Sequence, residues 1–326
     1  MESFVFSMNA VLPLVCLTAL GYALRQSNFF NDDFIKAGNK FVFSVCLPCL
    51  MFVNIYNIKK MSSAYYKVML FASVSMLALI AIGTLFCVFF VRDPKQKGVM
   101  AQAFFRSNFA IIGIPLARSI FGDEGGAMGA VILACSIPLF NISSVFLLTV
   151  FLKEGQKRIS VRSILYKILK NPLIDGIFFG GLMVALRPYV NGWTLKDGEI
   201  RFVYRVIEEL AKAASPFSLV ILGGQFQISA VKRLFSKIAF AVFVRLVAVP
   251  VAGLFAAHLI FTDFKGPEYA ALLALFGSPI AVASAIMANQ MNNDGELAGQ
   301  ILVWTTFFSG LTLFCFISFF RFKGIF

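Results

Sequence analysis

Ser107-Asn108-Phe109-Ala110-Ile111-Ile112-Gly113-Ile114-Pro115-Leu116 is an apolar run interrupted by an amide, a glycine and a proline. A second stretch, Gly277-Ser278-Pro279-Ile280-Ala281-Val282-Ala283-Ser284, repeats the Gly-x-Pro. Proline has no N–H and clashes with the carbonyl four residues back, and a glycine two residues earlier adds backbone freedom. In water the freed polar groups are simply solvated. In lipid they must be satisfied by protein, trapped water or a ligand. Which solvent surrounds these two stretches therefore decides the fold.

Composition answers lipid. Of 326 residues 59% are hydrophobic and 14% charged, mean hydropathy is +0.84, and 39 residues are Phe. A soluble domain carries roughly a quarter charged residues, so this chain cannot bury its apolar surface within itself. Long unbroken apolar runs without alternation point to helices rather than a barrel. The net charge of +13 does not read as a nucleic-acid surface, because Lys and Arg fall between the apolar runs, where they set topology. The six Cys sit inside apolar runs. Cys46-x-x-Cys49 lacks a second pair, and His258 is the only histidine, so neither a metal nor a cofactor is expected. The first run has no basic leader before it and is read as a span rather than a cleaved signal.

A bilayer core about 30 Å thick needs about 20 helical residues. Ten such runs are found, at 3–24, 34–56, 65–91, 99–121, 126–152, 172–190, 203–226, 236–261, 268–290 and 296–320. The gaps 153–171 and 191–202 are too short for a soluble domain. The longer one divides the chain into residues 1–152 and 172–326, five helices each, joined by a cytoplasmic loop at 153–171. An odd number of helices per half inserts the second half upside down, the inverted-repeat plan of many secondary transporters. Prolines echo between the halves: Pro48 in helix 2 and Pro216 in helix 7, Pro115 in helix 4 and Pro279 in helix 9. The block Lys153, Lys157, Arg158, Arg162, Lys167 and Lys170 is expected inside, which puts both termini outside the cytoplasmic membrane.

Pro115 lies ~16 residues, roughly 24 Å, along helix 4, and Pro279 ~11 residues, about 16 Å, along helix 9. Both breaks reach the midplane region, with Ala110–Gly113 expected to unwind. Half-helix N-termini there suit an anion. Asn108, Asn141, Ser278 and Ser284 lie at similar depth and are candidate substrate contacts with Gly113, Pro115 and Pro279. Ser215, Ser218 and Gln225 add polar groups on helix 7. Intramembrane charges are few: Arg106, Arg245 and Asp175, read either as coupling or anion-attracting groups or, for Arg245 with Asp175, as a structural pair, all near enough the cytoplasmic side for Arg to snorkel. No acidic pair marks a proton or sodium site.

These stretches, with Ile137-Pro138-Leu139-Phe140-Asn141-Ile142-Ser143-Ser144-Val145, Asp294-Gly295-Glu296, Leu20-Gly21-Tyr22 and Leu47-Pro48-Cys49-Leu50-Met51-Phe52, resemble the auxin efflux carrier family. That family includes plant auxin exporters and bacterial permeases for malate-like acids. The resemblance implies an all-α membrane protein of ten helices in two inverted repeats, related in fold to bile-acid symporters and sodium/proton antiporters. Helices 1, 2, 6 and 7 would form a scaffold, and helices 3–5 and 8–10 a transport domain moving as an elevator. The crossing of broken helices 4 and 9 would carry the substrate, with Asn108 and Asn141 at the polar contacts and Pro115 and Pro279 at the crossover. Unlike the plant exporters, this chain has only residues 153–171 in place of a long central loop. The function expected is a carrier for a small organic anion such as a carboxylate. Proton or sodium coupling and a homodimer are left open, and nucleic acid is not a partner. The alternatives, a membrane enzyme and a non-transporting sensor, lack a cluster of acid/base residues and an attached signalling domain.

Overall fold

The computed structural model describes residues 2–57, 66–154, 157–158, 162, 166, 169–189, 194–261 and 263–326. The loop expected at 153–171 therefore lies mostly outside the described residues. The helices are α1 (Glu2–Gln26), α2 (Asp32–Phe41), α3 (Leu47–Tyr56), α4 (Tyr66–Phe90), α5 (Pro94–Phe105), α6 (Ile114–Val150), α7 (Pro172–Leu186), α8 (Arg201–Gln225), α9 (Ile228–Phe243), α10 (Val249–Ile260), α11 (Gly266–Gly277), α12 (Ala283–Gln290) and α13 (Gly295–Phe322). One two-residue ladder, Lys153–Glu154 against Lys157–Arg158, stands apart from them. Among the described residues, five helical stretches are long and apolar enough to cross a bilayer: Asp32–Tyr56, Tyr66–Phe90, Phe109–Val150, Ile228–Ile260 and Gly295–Phe322. Pro172–Leu186 is a shorter apolar helix. Many large apolar side chains point outward, among them Phe89, Phe90 and Phe255, as they would toward lipid.

Six of the eleven prolines show three ways of accommodating the ring. Pro48, Pro115 and Pro250 each follow a π turn, at Val42–Cys46, Phe109–Gly113 and Val244–Ala248. In each, the residue before the proline donates its N–H five residues back: Leu47 to Val42, Ile114 to Phe109 and Val249 to Val244. A wider turn relieves the ring's clash with the carbonyl four back while keeping the helix whole. Pro138, in the second arm of α6, and Pro216, in α8, leave their helices unbroken around them. Near Pro279 the chain leaves the helix at the proline itself, between Gly277 and Ala283. The expected matched breaks at Pro48 and Pro216 are thus a π turn and a continuous helix.

Two close contacts set the packing frame. A Cβ at Gly21 of α1 would overlap the backbone of Val220 in α8, and one at Gly223 of α8 would overlap that of Thr18 in α1. Likewise a Cβ at Gly176 of α7 would overlap the backbone of Pro48 in α3. Without side chains at these points, α1 lies directly on α8 and α7 on α3, the close approach that small residues permit in membranes. Within α6 the chain reverses at Phe121–Gly122, where Gly122 takes φ 56° and ψ −139°. That conformation is essentially restricted to glycine. It folds the first arm of α6 back on the second, so that Gly125 lies against the Ala117 backbone and Gly129 against Ile114.

Candidate functional site

The two breaks meet. Helix α5 ends at Phe105, and Arg106, Ser107 and Asn108 run extended or irregular before the π turn. Ser107 pairs with Ile280 in an isolated antiparallel bridge, and the Asn108 N–H donates to the Pro279 carbonyl at 2.8 Å. Four half-helix ends converge on this bridge. The unwinding expected at Ala110–Gly113 lies instead at Arg106–Asn108. Residues 109–113 keep their backbone bonds as a π turn because Ile112 and Ile114 still find carbonyls within the segment. Gly113 serves the crossing: a Cβ there would overlap the Phe109 ring and press on the Ala274 carbonyl of α11.

Among the described residues the buried charged side chains are Arg106 and Arg245, 2% and 1% exposed, and no Asp or Glu is buried. Neither arginine snorkels. Arg106 donates from Nη1 to the Phe140 carbonyl at 3.0 Å and to the Ser144 hydroxyl, and from Nη2 to Asn141 Oδ1 at 3.0 Å. Its Nε remains without a partner. Asn141 is held at both ends of its amide, since Nδ2 donates to the Ile137 carbonyl at 2.8 Å. It fixes Arg106 in place. Asn108 contrasts with it: its Nδ2 is buried and unpartnered.

Arg245 has another task. It donates from Nε to the Ser278 carbonyl at 3.0 Å and from Nη2 to those of Leu275 at 3.0 Å and Phe276 at 2.6 Å. Leu275 lies four residues before Pro279, so no helical N–H can reach its carbonyl. The guanidinium replaces that N–H and brings a cation to the negative end of α11. The pairing of Arg245 with Asp175 is not formed. Asp175 is exposed in the first turn of α7, where a carboxylate complements the helix dipole.

Arg106, Asn108 and Asn141 line a cavity of about 80 Å³ between the crossing and helices α3 and α8. Asn54, Ser215 and Ser218 line its far wall, and no acidic side chain does. Ser218 returns its hydroxyl to the Ala214 carbonyl at 2.5 Å. Ser278 spends its hydroxyl on Ala274 at 2.6 Å. Ser278, Ser284, Gly113, Pro115 and Pro279 frame the crossing without lining the cavity, which is floored on that side by Ala281, Val282 and Ala283. Asn54 was not singled out from sequence, although an amide within the apolar run of α3 is the signal that would have marked it. A larger vestibule of about 520 Å³ opens further along α8 and α12, between Arg25, Lys36, Gln225, Asn289 and Glu296.

Compared with known proteins, residues 6–317 match the family model described as membrane transport protein. An uncharacterized transporter of Methanothermobacter thermautotrophicus is 23% identical over 316 residues, which is 95% of this chain and 97% of the relative. The uncharacterized transporter YfdV of Escherichia coli (strain K12) is 24% identical over 297 residues, 88% and 89% of the two chains, and YfdV of Shigella flexneri matches equally.

Proposed function

We propose, because the chain belongs to the membrane transport protein family, that it is a multi-pass carrier whose substrate is a small organic anion held at the crossing of the two broken helices. One observation carries this reading. The cavity is lined by a buried cation with an unpartnered Nε–H, by an unpartnered Asn108 amide N–H, and by no acid. A site rich in donors selects a ligand rich in acceptors. A buried guanidinium without a carboxylate favours a ligand that brings its own negative charge. A carboxylate meets both conditions. At about 80 Å³ the cavity suits the charged end of such a ligand better than a drug-sized molecule, whose pockets start near 300 Å³.

The proposal extends to the finer plan: ten membrane helices in two inverted repeats, elevator motion, and a place in the cytoplasmic membrane with both termini outside. The paired packing of α1 on α8 and of α7 on α3 supports a repeat of two halves, since these contacts exchange when helix 1 is paired with helix 6 and helix 2 with helix 7. A family of transporters, and relatives named as transporters, weigh against an enzyme.

The test begins with thermal stability of the purified protein against dicarboxylates, monocarboxylates, aromatic acids and the amide of each. The acids should raise the midpoint and the amides should not. The best acid should then enter proteoliposomes, and Asn108→Ala or Asn141→Ala should abolish its uptake. Equal stabilisation by acids and amides would overturn the anion reading. Wild-type uptake by both variants would overturn the site.

A further inference from the structure

A second cavity, about 460 Å³, is a groove walled by Val15, Ala19 and Tyr22 of α1 on one side and by Val231, Trp304 and Phe307 of α9 and α13 on the other. Its lining is almost wholly apolar, and it shares a single residue, Phe226, with the polar vestibule. The groove begins at the Phe226–Gln227 turn between α8 and α9. On α1 it covers residues 15–22, about 6–16 Å from the helix end at Gln26. On α13 it covers residues 302–307, about 10–18 Å from the start at Gly295. Those depths match one leaflet, half of a core about 30 Å thick.

One exposed basic residue adjoins the lining. Lys232 directly follows Val231 of the lining and is exposed, with neither hydrogen bond nor ion pair among the described residues. Its neighbours are engaged: Arg233 pairs with Glu296, and Lys237 donates to Gln96 Oε1 at 2.5 Å. A long apolar slot one leaflet deep, with an uncommitted cation at its rim, has the chemistry of one lipid class. We propose that the groove is a binding site for an anionic phospholipid, its acyl chain between α1 and α13 and its phosphate on Lys232. An occupant there lies between α1 and α8 on one side and α9 and α13 on the other, and this assignment does not depend on the substrate of the central site.

The chain has two tryptophans, Trp193 and Trp304, so Trp193→Phe leaves the groove residue as the only emitter. In vesicles containing phospholipid with brominated acyl chains, brominated phosphatidylglycerol should quench Trp304 with about fivefold higher apparent affinity than brominated phosphatidylcholine. Lys232→Gln should remove that preference, and Ala19→Phe, which fills the groove from α1, should reduce quenching by both lipids. Equal quenching by the two lipids, or a preference that survives Lys232→Gln, would overturn the proposal. So would a Trp304 that no brominated lipid quenches, since protein would then cover the groove.

Discussion

Arg106→Met and Arg245→Met should have opposite signatures, although both remove a fully buried guanidinium. The relief from burying a charge is worth several kcal/mol per ion and is nearly the same for both, so the difference rests on what each leaves behind. Without Arg106, the Phe140 carbonyl keeps its helical partner within the second arm of α6. Ser144 can turn its hydroxyl to its own helix, as Thr149 does to Val145. Asn141 Oδ1 is the one acceptor orphaned. Without Arg245, three buried carbonyls at the frayed end of α11 lose their donor together: Leu275, Phe276 and Ser278. At about 1–3 kcal/mol per orphaned buried group, Arg245→Met should be less stable than Arg106→Met by about 2–6 kcal/mol. Scanning fluorimetry in detergent should show midpoints separated by roughly 4–12 °C at about 2 °C per kcal/mol. Arg106→Met should stay near wild type yet lose its stabilisation by carboxylates. Arg245→Met should melt early, and any protein that survives should still respond to them. If Arg106→Met melts as early as Arg245→Met, Arg106 is a structural staple and the argument for a substrate charge fails.

The glycine contacts give sharper stability tests. Gly21→Ala forces a methyl into the Val220 backbone and should cost about 1–3 kcal/mol by overpacking. Gly181→Ala in α7 meets nothing within 4 Å and should be neutral or slightly stabilising, by up to about 1 kcal/mol, through helix propensity. Comparable losses in the two variants, read by thermal unfolding, would refute the packing of α1 on α8. Gly122→Ala also has open space around it, but its φ of 56° should cost about 1–3 kcal/mol through backbone strain alone. An unchanged midpoint would mean that the reversal in α6 is not tight.

Much of this was legible in the sequence, for reasons particular to lipid. Apolar runs of bilayer length announced membrane helices, and the Gly-x-Pro stretch at Gly277–Pro279 announced one interruption. Asn108 and Arg106 stood out because an amide or a cation in hydrocarbon needs a reason. What the residues could not disclose was the fate of each carbonyl that a proline orphans. The residue before Pro48, Pro115 and Pro250 found an acceptor five back, so those helices widened by one turn and continued. At Pro279 the Leu275 carbonyl found Arg245, thirty residues earlier in sequence, and the helix was free to end. A proline therefore fixes the demand locally, while whether the chain bulges, runs straight or breaks depends on which donor tertiary packing delivers. The same logic moved the other break upstream. Once the Asn108 N–H could be spent on the Pro279 carbonyl, the chain could leave helix α5 at Arg106, several residues before Pro115. The two breaks thus share a backbone bond, and of the polar atoms left without a partner beside them, Arg106 Nε, Ser107 Oγ and Asn108 Nδ2 belong to residues lining the cavity.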